Sequence, residues 1–171
     1  MTCPRSTRSN IYAAIFNSTT PMEVSAIVSA ILAQKKGQTV WSISPKATVF
    51  EAIESMAQKN VGAFPVVEND RLVGIISERD YTRKVILKGK SSKETPVNEI
   101  MTEQVLTVDP STSVADCMKI MTKRHVRHLP VLDGTKLVGI LSIGDVLNWI
   151  VSAQGMAIDN LERFIAGSEP D

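Results

Sequence analysis

In two places along this 171-residue chain, a serine and an aspartate three positions apart end the same apolar run. The pairs are Ser77 with Asp80 and Ser142 with Asp145, and each follows an apolar run containing LVGI. An ionised carboxylate accepts hydrogen bonds from ligand hydroxyls. The same spacing is also a helix-capping motif, in which the serine oxygen accepts from the backbone amide three residues on. The residue types alone leave both interpretations open.

Two groups of basic residues lie near these pairs. One places four potentially cationic groups within five residues: Arg124, His125, Arg127 and His128. The other surrounds the first aspartate: Arg79, Arg83 and Lys84. Such groups suit a phosphate chain, since a guanidinium holds phosphate oxygens bidentately. The alternative for either group is a solvated basic surface.

The chain repeats itself with a shift of 65 residues. LVGIISERD at 72–80 returns as LVGILSIGD at 137–145, and twelve of the 36 positions from 45 to 80 are identical to their partners. A tandem repeat predicts two copies of one supersecondary unit, each covering an apolar face of the other. It also predicts two equivalent clefts, so function is expected where both copies place the same polar residues.

Each copy carries the pattern strand–helix–strand–strand–helix. Thr48 with Glu51 and Ser113 with Asp116 predict helix starts, because each resembles a capping box followed by apolar residues at helical spacing. The predicted strands are the β-favouring runs at 40–43, 63–68, 71–76, 105–108, 128–133 and 136–141. Further helical segments are predicted at 23–33, 97–101 and 156–165, and a helix is expected from each aspartate onward. The resulting division is a tail at 1–21, a first repeat at 22–95 and a second repeat with a helical tail at 96–171.

Composition narrows the classes of function. A net charge of +1 gives no support to nucleic-acid binding, and no apolar run reaches the length of about 20 residues that spans a bilayer. Two cysteines without metal-type neighbours argue against a disulfide framework or zinc site. No catalytic motif is present, so we expect a non-enzyme. The cysteine usage fits a reducing compartment, and the expected location is the cytoplasm. Residues 1–21 contain arginine, serine and threonine without acidic residues, a composition that resembles a mitochondrial or plastid transit peptide. An unstructured tail, or a functional chain that begins near Met22, is the preferred interpretation.

Over roughly residues 22 to 167 the chain resembles a tandem CBS-domain protein, also called a Bateman module. The resemblance lies in the paired LVGI-x-S-x-x-D endings, the AFPVV and HLPVL runs and the repeat spacing. The resemblance is closest to the small stand-alone class with two CBS copies. It implies an α+β fold of two β-α-β-β-α repeats that pack sheet to sheet around a pseudo-twofold axis. It also implies two clefts that bind adenosine nucleotides (AMP, ATP or NAD(H)), a homodimer, and regulation of a partner protein.

The resemblance also assigns roles to residues. Asp80 and Asp145 match the family's ribose-binding aspartate, and Ser77 and Ser142 match the hydroxyl residue that faces ribose or phosphate. Basic residues at the positions of Arg127 and His128 contact phosphates in related modules. Arg79 and Arg83 are further candidates by their place at the helix start and not by the resemblance, and they either reach phosphate or lie on an exposed helix face. Adenine is expected among main-chain and apolar groups around six positions: Val40, Ile43, Pro65, Val105, Val108 and Pro130. Trp41 alternates away from Val40, which favours a core or interface role over stacking.

The two copies differ at these positions. Before its strand the first copy has Gly62-Ala63, where the second has Arg127-His128. The sequence therefore predicts two clefts of unequal charge. The first copy supplies its cations from its helix and the second copy from its strand. Two different ligands, or a dinucleotide opposite AMP, would suit this asymmetry. The alternative function is a constitutive dimeric scaffold that binds no nucleotide; nucleic-acid binding is a weaker third reading.

Overall fold

A computed structural model describes residues 26–35 and 39–166, with side chains as far as residue 155; the predicted tail at 1–21 lies outside this part. Its helices are α1 (Val28–Gln34), α2 (Val49–Lys59), α3 (Glu78–Lys84), α4 (Val114–Arg124) and α5 (Ile143–Ala166). Its strands are β1 (Ala63–Glu68), β2 (Arg71–Ser77), β3 (His128–Asp133) and β4 (Lys136–Ser142). Two 3₁₀ helices span Ile86–Lys88 and Val97–Glu99. The α+β class expected from the sequence is confirmed.

Each repeat is built on an antiparallel hairpin, β1 with β2 and β3 with β4, and the two hairpins are in contact through β2 and β4. The first hairpin turns at Asn69 and Asp70, both with positive φ of 50° and 60°. These residue types tolerate the left-handed conformation that a two-residue hairpin requires. The second hairpin turns at Gly134, whose φ is 59°. The hairpins therefore form where the sequence predicted them.

The predicted strands at 40–43 and 105–108 are wrong as strands. Only Ile43 and Val108 form bridges, each parallel to one residue of a hairpin, Val66 and Val131. Ile43 uses both of its backbone groups on β1, donating to the Pro65 carbonyl at 3.0 Å and accepting from the Val67 amide at 2.9 Å. These segments are extended connectors that end at the sheets.

The helices α2 and α4 begin at the predicted caps, though the caps differ. Thr48 Oγ1 accepts from the Glu51 amide at 3.2 Å, and Glu51 Oε2 accepts from the Thr48 amide at 2.7 Å, which completes a capping box. Ser113 Oγ accepts from the Asp116 amide at 3.0 Å, but Asp116 bonds the serine hydroxyl rather than its amide. This capping box is therefore half formed.

The two repeats exchange their leading helical segments. Helix α1 lies in the core of the second repeat, where Val28 and Ile31 pack with Leu129, and the Val28 amide donates to Thr112 at 2.9 Å. Conversely, the segment after Pro96 completes the core of the first repeat with the residues Val97 and Ile100. The packing therefore crosses the predicted division between residues 95 and 96. The apolar face of each repeat is covered by the segment that precedes the other repeat in the chain.

Helix α5 runs unbroken from Ile143 to Ala166, so the predicted separate helix at 156–165 is instead its continuation. The helix predicted from Asp80 begins two residues earlier, at Glu78, and the helical piece predicted at 97–101 is a 3₁₀ turn. Within the ranges described above, no helix combines the length and apolarity needed to cross a membrane. Those same ranges contain no cluster of histidine, cysteine and acidic side chains that could hold a metal ion.

Candidate functional site

Both serine–aspartate pairs cap the helices that follow them. In the first, Asp80 Oδ2 accepts from the Ser77 amide at 3.1 Å and hydroxyl at 2.6 Å, while Ser77 Oγ accepts from the Asp80 amide at 3.3 Å. In the second, Asp145 Oδ2 accepts from the Ser142 amide and hydroxyl, both at 2.7 Å, and Ser142 Oγ accepts from the Asp145 amide at 3.1 Å. The capping interpretation is therefore confirmed, and the cap holds each carboxylate in one orientation.

Each aspartate also pairs with a lysine, and the two lysines come from different elements. Lys84 of α3 reaches Asp80 Oδ1 at 2.8 Å and donates to the Ile100 carbonyl at 2.6 Å. Lys35, just after α1, reaches Asp145 Oδ2 at 2.8 Å. All four side chains are partly buried. The two clefts are thus alike in their carboxylates but different in how those charges are balanced.

The cleft at Asp80, about 420 Å³ in volume, gathers cations from both repeats. From α3 and its start come Arg79, Arg83 and Lys84, and from the far repeat come His125, Arg127 and His128. The sequence pattern assigned these two groups to separate clefts, and that assignment is wrong. The pseudo-symmetric packing sets the helix start of one repeat opposite the strand start of the other, so both groups line one cleft.

The end of α4 explains how the far-repeat cations reach this cleft. His125 caps α4 in the left-handed conformation, with φ of 54°, so the chain turns sharply before β3 begins at His128. Arg79 Nη1 donates to the His125 carbonyl at 3.3 Å, which links α3 of one repeat to α4 of the other. The turn places Arg127 at the cleft wall, exposed and facing the same space as Asp80.

The cleft at Asp145, about 690 Å³ in volume, has a different lining. Beside Asp145 and Ser142 it is lined by Lys35, Trp41, Lys59 and Asn60. The ammonium of Lys59 lies 4.0 Å from the centroid of the Trp41 ring, within the distance of a cation–π contact. The arginines predicted to bind phosphate are absent from the described lining of this cleft. The two lysines of this lining are therefore both engaged, Lys35 by Asp145 and Lys59 by the Trp41 ring.

The residues Gly62 and His128 line both clefts and form the wall between them. A Cβ at Gly62 would lie 3.6 Å from His128 Cε1 and 3.5 Å from Glu78 Oε2, which are ordinary van der Waals distances, so this position lies directly against both side chains. Burial lowers the pKa of His128, Asp145 acts in the opposite direction, and the positive charges of Arg127 and Lys35 lower it further. His128 is therefore held towards its neutral form at the junction of the two clefts.

Asp145 keeps its charge despite partial burial. Burial by itself would raise the pKa of this carboxyl, but hydrogen bonds from Lys35 and from the hydroxyl and amide of Ser142 outweigh it. The net result is a pKa below the ordinary value of an aspartate. The candidate ligand group of this cleft is an ionised acceptor at neutral pH.

Six apolar positions were predicted to surround adenine. Within the described residues, one of them, Val105, lines the cleft at Asp80, and none lines the cleft at Asp145. Pro65, Val108 and Pro130 are buried, and Ile43 packs partly buried against the first core. Val40 is half-buried. The sequence interpretation instead missed side chains that do line the clefts: Lys35, Trp41, Lys59 and Leu106. The alternation of Trp41 with Val40 favoured a core or interface position, whereas the structure places the ring in the lining of the Asp145 cleft with 43% of the residue exposed.

Comparisons with known proteins agree with this architecture. The family model for the CBS domain matches residues 38–86 and 97–152. The chain is 40% identical over 157 residues to the mitochondrial CBS domain-containing protein CBSX3 of Arabidopsis thaliana, covering 89% of this chain and 74% of the relative. The solved structure of a protein with CBS domains from Burkholderia ambifaria is 46% identical to this chain with a TM-score of 0.73, and the match covers 75% of this chain and 96% of that one.

A further solved structure matches in fold alone. It is the CBS domain pair of protein MJ0100 in complex with 5'-methylthioadenosine and S-adenosylmethionine. It is 24% identical to this chain, has a TM-score of 0.64, and the match covers 75% of this chain and 98% of that one.

Proposed function

Because the chain belongs to the CBS-domain family, we propose that it is a regulatory module that binds an adenosine nucleotide between its repeats and thereby modulates a partner protein. The observation that carries this proposal is the composition of the cleft at Asp80, where one fixed carboxylate lies among arginines from both repeats. A nucleotide offers the complementary groups, namely two ribose hydroxyls and one or more phosphates. The adenosine compounds bound by the MJ0100 pair support the same class of ligand.

The ribose would bond Asp80, and the phosphates would lie against Arg127 with Arg79 and Arg83. Hydrogen bonds with one charged partner contribute about 1.5–3 kcal/mol, more than neutral ones. Since a triphosphate can engage more of these cations than a monophosphate, the order of affinity in this cleft is ATP over AMP. NAD(H) remains the third candidate, with its second nucleotide reaching beyond the cations.

Regulation follows from the fact that the ligand groups belong to different repeats. A nucleotide held by Asp80 on one side and Arg127 on the other joins the two repeats. Binding shifts an equilibrium between two arrangements only if the nucleotide has different affinities for them. The arrangement with the arginines facing Asp80 is the one a nucleotide would favour, and a partner that recognises that arrangement would sense the nucleotide.

The second candidate function is a constitutive scaffold that binds no nucleotide. The observation in its favour is the confirmed cap, since Ser77 and Asp80 have a complete structural role without a ligand. Under either function we propose a non-enzyme located in the cytoplasm, or in mitochondria or plastids if residues 1–21 are a transit peptide. Nucleic-acid binding is the least supported, given the net charge of +1.

A homodimer is also proposed. Ile86 and Val151 occupy equivalent positions in the two repeats, and their side chains are 53% and 65% exposed. Leu87, the next residue after Ile86, and Leu147, one helical turn before Val151, are exposed as well, and exposed apolar surface is commonly covered by a partner. Light scattering on the wild type and on Val151→Asp measures the oligomeric state. A wild-type dimer that dissociates in the variant supports the proposed homodimer, and a monomeric wild type contradicts it.

Calorimetric titration with AMP, ATP and NADH decides between the two functions. The test variant is Arg127→Ala, and Arg124→Ala is the matched control because Arg124 is exposed and lies outside the described lining of the cleft. Loss of one charged contact weakens binding about 10- to 100-fold. We expect that loss for ATP in Arg127→Ala and no change in the control. No binding of any of the three ligands to the wild type would favour the scaffold.

A further inference from the structure

We propose that Lys84 is a specificity-determining residue of the cleft at Asp80, because together with that carboxylate it binds one ribose hydroxyl much more strongly than the other. This inference rests on the proposed function and names the part of the sugar that the cleft selects. The ammonium of Lys84 lies 2.8 Å from Asp80 Oδ1, and both residues line the cleft. A hydroxyl that approaches the carboxylate therefore meets the ammonium as well.

The acceptor positions left on Asp80 limit the bonds that a sugar can form there. A carboxylate has about four lone-pair positions, two on each oxygen. Oδ2 already accepts from the amide and the hydroxyl of Ser77, at 3.1 and 2.6 Å, and Oδ1 accepts from Lys84. One position remains, on Oδ1. The carboxylate therefore accepts a single ribose hydroxyl unless the helix cap or the ion pair breaks.

The ammonium of Lys84 also has one donor left for a ligand. A lysine ammonium carries three N–H donors. One is directed at Asp80 Oδ1 and another at the Ile100 carbonyl, 2.6 Å away, and these are its acceptors within the described residues. The free donor on Lys84 and the free acceptor position on Asp80 belong to bonded neighbours. A hydroxyl satisfies both because it donates and accepts, whereas a deoxy carbon satisfies neither.

The contact with Ile100 holds the ammonium in place before a ligand enters. Ile100 is 1% exposed and belongs to the core of the first repeat. Two residues later, Thr102 exchanges both backbone hydrogen bonds with Ile75 of β2, at 2.9 and 3.0 Å. The carbonyl that accepts from Lys84 therefore lies on a well-anchored segment. Because the lysine is held from two sides, less conformational entropy is lost when it binds a hydroxyl.

The second repeat differs at this position. The residue equivalent to Lys84 after the 65-residue shift is Trp149, which packs against the core of the second repeat. The lysine that pairs with Asp145 is Lys35, and it donates at 2.8 Å to Oδ2, the same oxygen that accepts from Ser142. The pairing of an ammonium with the oxygen opposite the cap is thus a property of the Asp80 cleft and not of the repeat unit.

The experiment compares the affinities of ATP, 2′-deoxy-ATP and 3′-deoxy-ATP for the full-length protein by calorimetry. In the wild type, one deoxy analogue should bind about 10- to 100-fold more weakly than ATP, since it loses a hydroxyl bonded to charged groups, and the other less than about threefold more weakly. In Lys84→Met the two analogues should bind within about threefold of each other, because Oδ1 is then open to either hydroxyl and no ammonium donates to one of them.

A role of Lys84 in phosphate binding gives a different pattern. Lys84→Met would then weaken ATP and both deoxy analogues by the same factor and leave the ratio between the analogues unchanged, as is expected of Arg127→Ala. The matched control is Lys90→Met, which removes an ion pair of 2.9 Å with Glu99 outside the described lining of the cleft. All three affinities should be unchanged in this control.

Equal losses for the two deoxy analogues in the wild type overturn the inference, and so does a ratio that Lys84→Met leaves unchanged. In either case, Arg127-dependent binding of ATP leaves the proposed function standing. Failure of the wild type to bind ATP also overturns the inference, and failure to bind AMP and NADH as well overturns the proposed function.

Discussion

Lys35 and Asp145 form an ion pair across 110 positions of the chain, with Lys35 Nζ 2.8 Å from Asp145 Oδ2. The lysine follows α1 and the aspartate lies in the first turn of α5, so the contact attaches the leading helix to the cleft of the second repeat. Their side chains are 26% and 19% exposed, which reduces the solvent screening that weakens surface pairs. The candidate ligand carboxylate of this cleft is thereby kept ionised and fixed by a residue of another element.

Lys35→Met should raise the pKa of Asp145 and lower the free energy of unfolding at pH 7 by about 1 kcal/mol, near the upper end for partly exposed pairs. The folded pKa of Asp145 is depressed, so its stabilisation is present above the unfolded value of about 3.9 and is lost as the pH falls through the folded value. The difference between the two proteins should therefore shrink below pH 4. Urea denaturation at pH 7 and pH 3 measures both effects.

The control for that substitution is Lys46→Met, which removes an ion pair with Glu68 at 3.7 Å whose side chains are 83% and 43% exposed. Because solvent screens such an exposed pair, it contributes almost nothing to stability, and no measurable change in the free energy of unfolding is expected. An equal loss in both variants would mean that Lys35 acts through general surface charge instead of through Asp145.

Arg127→Ala should raise the pKa of His128, because it removes one of the positive charges that oppose protonation of this partly buried imidazole. Asp145→Asn should change the pKa of His128 in the opposite direction, since the carboxylate favours the protonated ring. Proton NMR titration gives both values, and His125→Asn assigns the signals because the chain has two histidines. Shifts of the same sign in both variants would contradict the assignment of His128 to the wall between the clefts.

Gly139→Ala should destabilise the fold by about 1–3 kcal/mol, as expected for overpacking. A Cβ at this position of β4 would lie 2.6 Å from Leu32 Cδ2, so either the Leu32 side chain must move within its packing or the strand and α1 must separate. The double variant Gly139→Ala with Leu32→Ala should be more stable than the sum of the two single losses predicts, since the shorter side chain makes room. Gly155→Ala, where no neighbour lies within 4 Å, should show no loss of stability in the same chemical denaturation series.

Cys117 should resist thiol reagents in the folded protein. Burial, followed by the nearby Asp116 carboxylate, raises the pKa of this thiol to about 11, so very little thiolate exists at neutral pH. In a Cys3→Ser background, labelling with iodoacetamide at pH 8 should be at least about tenfold slower in buffer than in denaturant. Rapid labelling under native conditions would show that the core of the second repeat opens readily.

Several features of the fold follow from local sequence signals. Thr48 and Glu51 bond each other across three residues, so their capping box could be predicted without knowing any neighbour. Asn69 and Asp70 give the turn of the first hairpin in the same way, because the conformation they need is set by their own side chains. The predicted strands at 40–43 and 105–108 failed because a strand requires a partner along its length, and only Ile43 and Val108 have one.

The sequence by itself determined the duplication, the hairpins, the caps of the helices and the two aspartates that the caps hold, since each depends on residues close together in the chain. Only the tertiary structure decided which side chains share a cleft. It placed Arg127 opposite Asp80, brought Lys35 to Asp145 and exposed Trp41 beside the second aspartate. The physical reason is the exchanged packing of the repeats: each apolar face is covered by chain from the other half, so every cleft is composite and its charge is the sum of two distant segments.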